Sequence, residues 1–402
     1  MNKDKILKQF LKYISIDTTS DSAKDDTPSS NGQIKLAKLL KKQLDELNVN
    51  TYFDEKYCYL YGKLKGNKNS PKIGFVSHLD TTEFSNSKIE VNVIKNYDGK
   101  DIILNKNKIL SRKISPELKN YIGKTLITTN GKSILGADNK AGIVEIINMI
   151  KYFVSSNNKH GDIYICFTPD EEIGLSAKHI NKKYFNPDFA YIVDGSTVGE
   201  ISYKNFNAIE AIINIEGEFA HYGTAKNIMI NASYIAMLFS SLIPTDRPEN
   251  TYGDKGFYHL KSIKGDVVKC TVKYLICDFD KRRLEKRKKI LLKIIKTLNK
   301  KYDNCIKFEF SELYSNMISV MKKEKRLIHN TMKAISKTKI KPKVILHRGG
   351  TDGIDISHKG IPCLNIGTGV HNYHSVYEYI CLEDIVDSIK ILISIVEYFY
   401  NE

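Results

Sequence analysis

The chain has 402 residues, of which 42% are hydrophobic and 27% are charged, and its formal net charge is +16. This length exceeds what one ordinary hydrophobic core needs, and it predicts two domains or one domain with a large insertion. The composition excludes collagen-like and low-complexity chains, and no apolar run approaches the roughly 18 residues that a membrane-spanning helix requires.

The cysteines and the positive charge narrow the class of protein. Seven scattered cysteines without a CxxC motif predict reduced thiols in a cytoplasmic protein, not a disulfide framework. The first residues mix lysines with apolar residues at helical spacing, which favours a helix over a signal peptide. Lysines such as those in 35–42 and 281–301 lie along predicted helices without interleaved aromatic residues. We therefore expect solvated helix faces, with no nucleic-acid and no membrane partner.

The first half of the chain alternates between helices and short apolar strands. The periodicity predicts helices over residues 3–15, 32–47 and 140–155, and strands over 57–64, 72–77, 161–167 and 189–194. Such alternation predicts an α/β fold with a mainly parallel sheet between helices.

The pattern changes near residue 205 and changes back near residue 318. The intervening order is strand, helix, strand, strand, helix, strand, with strands near 208–218, 257–263, 268–277 and 306–312 and helices near 228–242 and 281–300. This order is typical of a ferredoxin-like α+β sandwich. A helix at 320–337, short strands and a closing helix at 382–399 then resume the first pattern. The sequence thus predicts a catalytic domain in two parts, 1–205 and 318–402, interrupted by an inserted domain, 206–317.

Two polar motifs flank predicted elements in the first part, one after a strand and one before a helix. His78 and Asp80 come after the strand KIGFVS, and residues two apart in an extended segment share a face. Asp80 can therefore orient one imidazole nitrogen of His78 while the other binds a metal. Asp138, in GADNKAG, precedes a helix and is either a helix N-cap or a ligand.

Three further positions add carboxylates and an imidazole. Glu171 and Glu172, in PDEEIG, form either a solvated acidic turn or a metal ligand beside a free base. Asp194 ends a buried strand and is a cap or a ligand, and His374 lies in HNYHSVYEY. Together these residues predict a site at the carboxyl ends of strands in one sheet. Mixed imidazole and carboxylate ligands suit two zinc ions, with cobalt or manganese as alternatives. A free glutamate would be the general base.

The ordered motifs carry a resemblance to a known family. They are SHLDT, GADNKAG, FTPDEEIG, VDG, HYGTAK, GFYHL, HRGGTDG and HNYHSVYEY. The chain resembles, over nearly its whole length, the dinuclear-zinc metallopeptidases that include aminopeptidases, glutamate carboxypeptidases, dipeptidases and deacylases. The segments TAK, GFYHL and RGGTDG are most similar to its tripeptide aminopeptidases.

The resemblance implies a function and a role for each matching residue. The implied enzyme releases the N-terminal residue of a tripeptide by attack of a zinc-bridging hydroxide, with Glu171 as general base and Asp80 orienting His78. The implied metal ligands are His78 and Asp194 for one zinc, Glu172 and His374 for the other, and Asp138 between them. The resemblance also implies a cis bond after Asp138 and a homodimer formed through the inserted lid domain. The implied substrate-binding residues are His221, which would stabilise the oxyanion across the dimer, and Arg348.

One departure from the family pattern keeps other functions open. Cys277 stands where the family has an arginine before Asp-Phe-Asp, and a thiol cannot replace a bidentate guanidinium. The alternatives are therefore a dipeptidase or amino-acid deacylase of the same family and, more remotely, a basic binding protein without enzymatic activity.

Overall fold

The computed structural model describes residues 1–24, 26–67, 70–84, 89–156, 158–176 and 178–402. The chain divides into two compact units. Unit 1 contains Met1–Tyr203, Ser319–Ile345 and Thr351–Glu402, and unit 2 contains Lys204–Ile318 and Leu346–Gly350. Within the described ranges, no helix combines the length and apolar character needed to cross a membrane.

The secondary-structure elements are numbered in chain order. The helices are α1 Lys3–Ile14, α2 Asn31–Glu46, α3 Ala137–Ser156, α4 Ala232–Leu242, α5 Lys281–Lys301, α6 Ile318–Met321, α7 Lys325–Lys337, α8 Asp352–His358 and α9 Leu382–Asn401. The first nine strands are β1 Asn50–Asp54, β2 Tyr59–Leu64, β3 Ile73–His78, β4 Val91–Ile94, β5 Ile102–Asn105, β6 Lys108–Leu110, β7 Leu126–Thr129, β8 Ile163–Thr168 and β9 Phe189–Val193. The other strands are β10 Glu200–Ser202, β11 Asn207–Glu216, β12 Phe257–Gly265, β13 Lys269–Asp278, β14 Ile306–Tyr314, β15 Lys343–Val344, β16 Cys363–Ile366, β17 Val370–His371 and β18 Tyr379–Cys381.

Unit 1 is built on a mixed sheet with the strand order β1-β2-β8-β3-β9-β16-β10-β15. Its central strands β8, β3, β9 and β16 are parallel, whereas β1-β2, β2-β8 and β10-β16 pair in the antiparallel direction. The predicted α/β class is confirmed, and the edge strand β15 also pairs with β10 in the parallel direction. Strands β3 and β9 are buried along their whole length, which explains their continuous apolar sequences.

Two smaller sheets and several helices also belong to unit 1, and one of these sheets has the two strands β5-β6. The other sheet has the order β17-β18-β7-β4. Helix α3 packs against α1, α9 and β3. The predicted helix over residues 320–337 is divided into α6 and α7, because Glu324 has a non-helical backbone conformation just before α7.

Unit 2 is a four-stranded antiparallel sheet covered by two helices. The strand order is β12-β13-β11-β14, and α4 and α5 pack against this sheet. Apolar side chains of both helices and of the sheet form one core cluster that extends from Ile209 to Ile306. The predicted ferredoxin-like sandwich is therefore confirmed.

One short segment was assigned to the wrong domain by the sequence analysis. Leu346–Gly350 belongs to unit 2, whereas the sequence placed it in the second part of the catalytic domain. The physical reason is Arg348, whose guanidinium donates hydrogen bonds to the carbonyl oxygens of Gly253 and Lys255 at 2.9 Å each and to Thr251 Oγ1 at 2.8 Å.

All seven cysteines are buried and none forms a disulfide. They are distributed over both units, and burial raises the pKa of each thiol above its ordinary value. The expectation of reduced thiols in a cytoplasmic protein stays a prediction.

Candidate active site

Most of the predicted site residues lie at one edge of the large sheet of unit 1. Strands β3, β8 and β9 are parallel neighbours that end at His78, Thr168 and Val193. Their carboxyl ends meet at the edge where open α/β sheets usually bind ligands. The segments directly after these strands carry Asp80, Glu171, Glu172 and Asp194.

The start of α3 brings Asp138 to the same edge. Asn139 Nδ2 donates a hydrogen bond to the carbonyl oxygen of Val193 at 2.9 Å. A side chain at Gly142 would place its Cβ 2.3 Å from that same oxygen, so only glycine allows this approach. The Asp138–Asn139 bond is cis, as the resemblance implied. The small residues of GADNKAG thus allow the helix to begin directly against the end of β9.

A first group of potential ligand atoms is formed by His78, Asp138 and Asp194. The ligand atoms of this group lie within 4.8 Å of one another. His78 Nε2 is 3.1 Å from Asp138 Oδ1 and 3.8 Å from Asp194 Oδ1. Asp194 Oδ1 is buried without a hydrogen-bond partner. A buried carboxylate oxygen without a partner is costly, and a metal ion at this position would satisfy it.

A second group shares Asp138 with the first. It contains Asp138, Glu172 and His374. His374 Nε2 lies 3.3 Å from Asp138 Oδ2 and 2.9 Å from Glu172 Oε2. Asp138 therefore turns Oδ1 towards one group and Oδ2 towards the other, which is the arrangement that a bridging carboxylate needs. The donor set of imidazole and carboxylate, without thiolate, fits zinc, cobalt or manganese.

The protonation of this cluster fits ligands that bind cations. Burial opposes a charged imidazole, but the hydrogen bonds to Asp138 and Glu172 raise the pKa of His374 to about 11. Burial alone would raise the pKa of Asp138, yet the hydrogen bonds to His374 and His78 hold it below its ordinary value. The carboxylates therefore stabilise positive charge beside them, and a metal ion would displace the proton from His374.

Asp80 has more contacts than the sequence analysis assigned to it. It is fully buried, and its Oδ1 lies 3.3 Å from His78 Nδ1. The backbone N–H groups of Glu171 and Glu172 donate to Asp80 Oδ1 and Oδ2 at 3.0 and 3.1 Å. The carboxylate thus fixes the backbone of the acidic turn, while His78 Nδ1 lies 3.0 Å from the backbone carbonyl oxygen of Asp80 and 3.3 Å from its carboxylate.

Glu171 differs from its neighbour Glu172. Among the described residues, Glu171 is a member of neither ligand group. Burial raises its pKa well above the ordinary value, and the carboxylates of Asp352 and Asp194 raise it further against the opposing effect of His78. A carboxylate with a raised pKa is a stronger base, which suits general base catalysis.

Sequence reasoning missed three carboxylates that surround the site. Asp170 accepts hydrogen bonds from the N–H and Oγ of Ser29 at 2.9 and 2.6 Å and from Gln33 Nε2 at 2.7 Å. Asp352 accepts hydrogen bonds from Ser176 Oγ and from Thr168 Oγ1. The third carboxylate is Glu378, described below. Each lies within a recognised motif, but its partners are distant in sequence, so spacing gave no signal.

The two remaining predicted residues lie on unit 2. His221 is exposed, stacks on Tyr222 and accepts a hydrogen bond from the N–H of Gly223 at 3.2 Å. Arg348 uses its guanidinium within unit 2 and lies over the rings of Phe206 and Phe257. Their assignment to the substrate stays a prediction.

Cys277 is buried in unit 2. It is 1% exposed and packs in a cluster with Phe206, Ala208, Phe257 and Phe279. Burial raises the pKa of its thiol to about 12. Position 277 is therefore part of a buried cluster of unit 2 in this chain, and its effect on substrate selection stays a prediction.

Comparison with known proteins assigns the family. The family model of Peptidase family M20/M25/M40 matches residues 133–398. The chain belongs to this family. It is 42% identical to Peptidase T of Caldanaerobacter subterraneus subsp. tengcongensis, over 98% of both chains. The predicted membership in the metallopeptidase family is thus confirmed, and the protein is a peptidase of family M20.

Solved structures agree with this membership at the level of the fold. The aminopeptidase PepT of Bacillus cereus superposes with a TM-score of 0.77 at 21% identity, covering 99% of both chains. A tripeptidase of Staphylococcus aureus subsp. aureus superposes with a TM-score of 0.80 at 19% identity, covering 100% of both chains. The fold of the chain is therefore that of the M20 peptidases.

Proposed function

We propose that this M20 peptidase is a metal-dependent aminopeptidase that releases the N-terminal residue from tripeptides. The observation that carries the proposal is a carboxylate, Asp138, shared by two ligand groups, beside a glutamate that belongs to neither. The substrate class is supported by the printed names of the relatives, Peptidase T and tripeptidase, and by the TAK, GFYHL and RGGTDG motifs.

Five residues would hold two metal ions, preferentially zinc. His78 and Asp194 would bind one ion, Glu172 and His374 the other, and Asp138 both. When bound, such a pair polarises the scissile carbonyl group and lowers the pKa of water. Asp80 keeps the Nδ1 side of His78 occupied, so that Nε2 remains directed towards Asp138 and Asp194.

The carboxylate of Glu171 moves the proton. It takes a proton from the attacking water and donates it to the amine nitrogen of the departing dipeptide. The Asp80 contact to the N–H of Glu171 fixes the turn from which this side chain extends. His221 and Arg348 of unit 2 would bind the substrate, with His221 acting in the partner subunit of a dimer.

The dimer and the location are part of the same proposal. Helix α4 of unit 2 exposes Tyr234, Met237 and Leu242, an apolar surface that fits a homodimer contact. Seven unpaired cysteines fit the reducing cytoplasm.

A matched pair of isosteric variants tests the metal and base assignments. Glu171→Gln should retain two metal equivalents per chain and lose roughly 10²-fold or more in kcat, because only the base is removed. Glu172→Gln should instead bind less metal. Metal analysis and kcat are measured on both variants. A metal loss confined to Glu171→Gln would show that the two roles are reversed.

A substrate panel tests the tripeptide assignment against the alternatives. Di-, tri- and tetrapeptides with free amino termini are compared with an N-acetylated amino acid. Preference for the tripeptide is expected. Preference for the dipeptide would favour a dipeptidase, and hydrolysis of the acetylated compound would favour a deacylase.

A further inference from the structure

A buried glutamate outside both ligand groups holds the backbone that carries Asp138. Glu378 is 1% exposed. Its Oε2 accepts hydrogen bonds from the N–H groups of Leu135 and Gly136 at 2.7 and 2.9 Å, and its Oε1 accepts one from the N–H of Asp138 at 3.1 Å. Three backbone N–H groups at the start of a helix form a site that favours a negative charge.

Glu378 also lies in the segment that carries His374. The N–H of Glu378 donates to the carbonyl oxygen of Ser375 at 3.1 Å. Ser375 Oγ donates to the carbonyl oxygen of Asn372 at 2.7 Å, and Asn372 Nδ2 donates to that of Tyr377 at 3.2 Å. Residues 372–378 thus form an internally bonded turn.

The end of this turn is fixed to the sheet β17-β18-β7-β4. Strand β18 begins at Tyr379 and pairs with β7 through Ile380 and Ile127. Glu378 therefore directly precedes β18, which is hydrogen-bonded to β7, and its side chain accepts a hydrogen bond from the backbone N–H of Asp138.

We propose that Glu378 is a positioning residue that sets the separation between Asp138 and His374, so that one carboxylate can serve both ligand groups. This rests on the proposed function, because it takes Asp138 and His374 as metal ligands. A carboxylate suits the task because it only accepts hydrogen bonds and offers two oxygens to the three donors. A glutamine would turn an NH₂ group towards one of these N–H groups and release part of the loop.

Glu145 provides a matched control for this substitution. It is a fully buried glutamate of the same unit, and it lies on α3, the helix whose first turn contains Asp138. Its Oε2 accepts a hydrogen bond from Ser388 Oγ at 2.7 Å, and its Oε1 has no partner. Glu145→Gln therefore changes a buried carboxylate to an amide without touching the 135–138 backbone.

The test measures binding of Zn²⁺ and Co²⁺ to the full metal-free chain. Zinc affinity is obtained by competition with a chromophoric chelator, cobalt binding by its d–d absorption, and stability by the Tm of the metal-free protein. Glu378→Gln should bind Zn²⁺ about 10- to 100-fold more weakly and alter the cobalt spectrum, whereas Glu145→Gln should match the wild type in zinc affinity and in the cobalt spectrum. If Glu378 had a merely structural role, Glu378→Gln would lower Tm and leave the metal affinity of the folded protein unchanged. That result would overturn the proposal.

Two further variants keep the outcome decisive. If Glu378→Gln does not fold, Glu378→Asp keeps the charge with a shorter reach, and it should fold and bind Zn²⁺ more weakly. Failure of both to fold would show that Glu378 holds the fold and not the metal loop, which overturns the proposal. Asp138→Asn distinguishes a wrong positioning role of Glu378 from a wrong metal centre. If it binds Zn²⁺ poorly while Glu378→Gln binds normally, only the positioning role is wrong. If both bind normally, the proposed metal centre is wrong as well.

Discussion

Asp80→Asn tests whether one carboxylate organises both halves of the site. The substitution keeps the shape of the side chain but leaves one acceptor oxygen in place of two. The N–H groups of Glu171 and Glu172, now bonded at 3.0 and 3.1 Å, would compete for that oxygen, and the amide NH₂ would face the group left over. The contact of 3.3 Å to His78 Nδ1 would also lose its charge.

The size of the effect follows from these contacts. A hydrogen bond to a charged group contributes about 1.5–3 kcal/mol, so the loss of one such bond at the acidic turn corresponds to roughly a 10- to 150-fold change in a rate or binding constant. We expect kcat/KM for a tripeptide to fall by that factor, because the turn that carries Glu171 loses a fixed position. The assay is steady-state hydrolysis at saturating zinc, with metal content measured on the same samples.

Asp266→Asn is the matched control for Asp80→Asn. Asp266 Oδ1 accepts hydrogen bonds from the N–H groups of Val268 and Lys269 at 2.8 and 3.1 Å, in an exposed turn of unit 2. The same chemical change should leave kcat/KM unaltered there. An Asp80→Asn enzyme within threefold of the wild type would refute the role assigned to Asp80.

Three further predictions follow from other contacts. Asp138→Ala should lose both metal equivalents, since Asp138 is shared by the two groups, and two equivalents found by metal analysis would contradict the bridging role. Burial raises the pKa of Glu145 above its ordinary 4.5, so unfolding releases a proton above that pH and stability falls as pH rises. Glu145→Gln should therefore raise Tm more at pH 7 than at pH 4, and an equal gain at both would show that folding does not raise the pKa of Glu145. The isolated segment Lys204–Ile318 contains the core cluster of unit 2, so we expect it to fold by itself. Circular dichroism should show a folded segment, metal analysis no bound metal and gel filtration a dimer, whereas an unfolded segment would contradict an autonomous domain.

The sequence predicted the elements whose patterns are local. Strands β3, β8 and β9 are short apolar runs that end in polar motifs, and periodicity is sufficient to recognise them. Strand β1 was missed because its sequence, NTYFD, belongs to a half-exposed edge strand without apolar alternation.

The sequence could not reveal how distant segments hold the site together. Glu378 bonds to residues about 240 positions away, and Asp80 to residues about 90 positions away. Contacts of this kind depend on tertiary packing and leave no periodic trace in the sequence.

The burial of all seven thiols has a practical consequence for handling the protein. Alkylating reagents attack the thiolate, and in the folded chain each sulfur is both enclosed and held protonated. Global unfolding exposes all seven thiols, so the rate at which maleimide reacts with the protein reports the rate of global unfolding. A single cysteine introduced on the surface would be labelled selectively at low temperature, and a fluorophore could be attached without first removing the native cysteines.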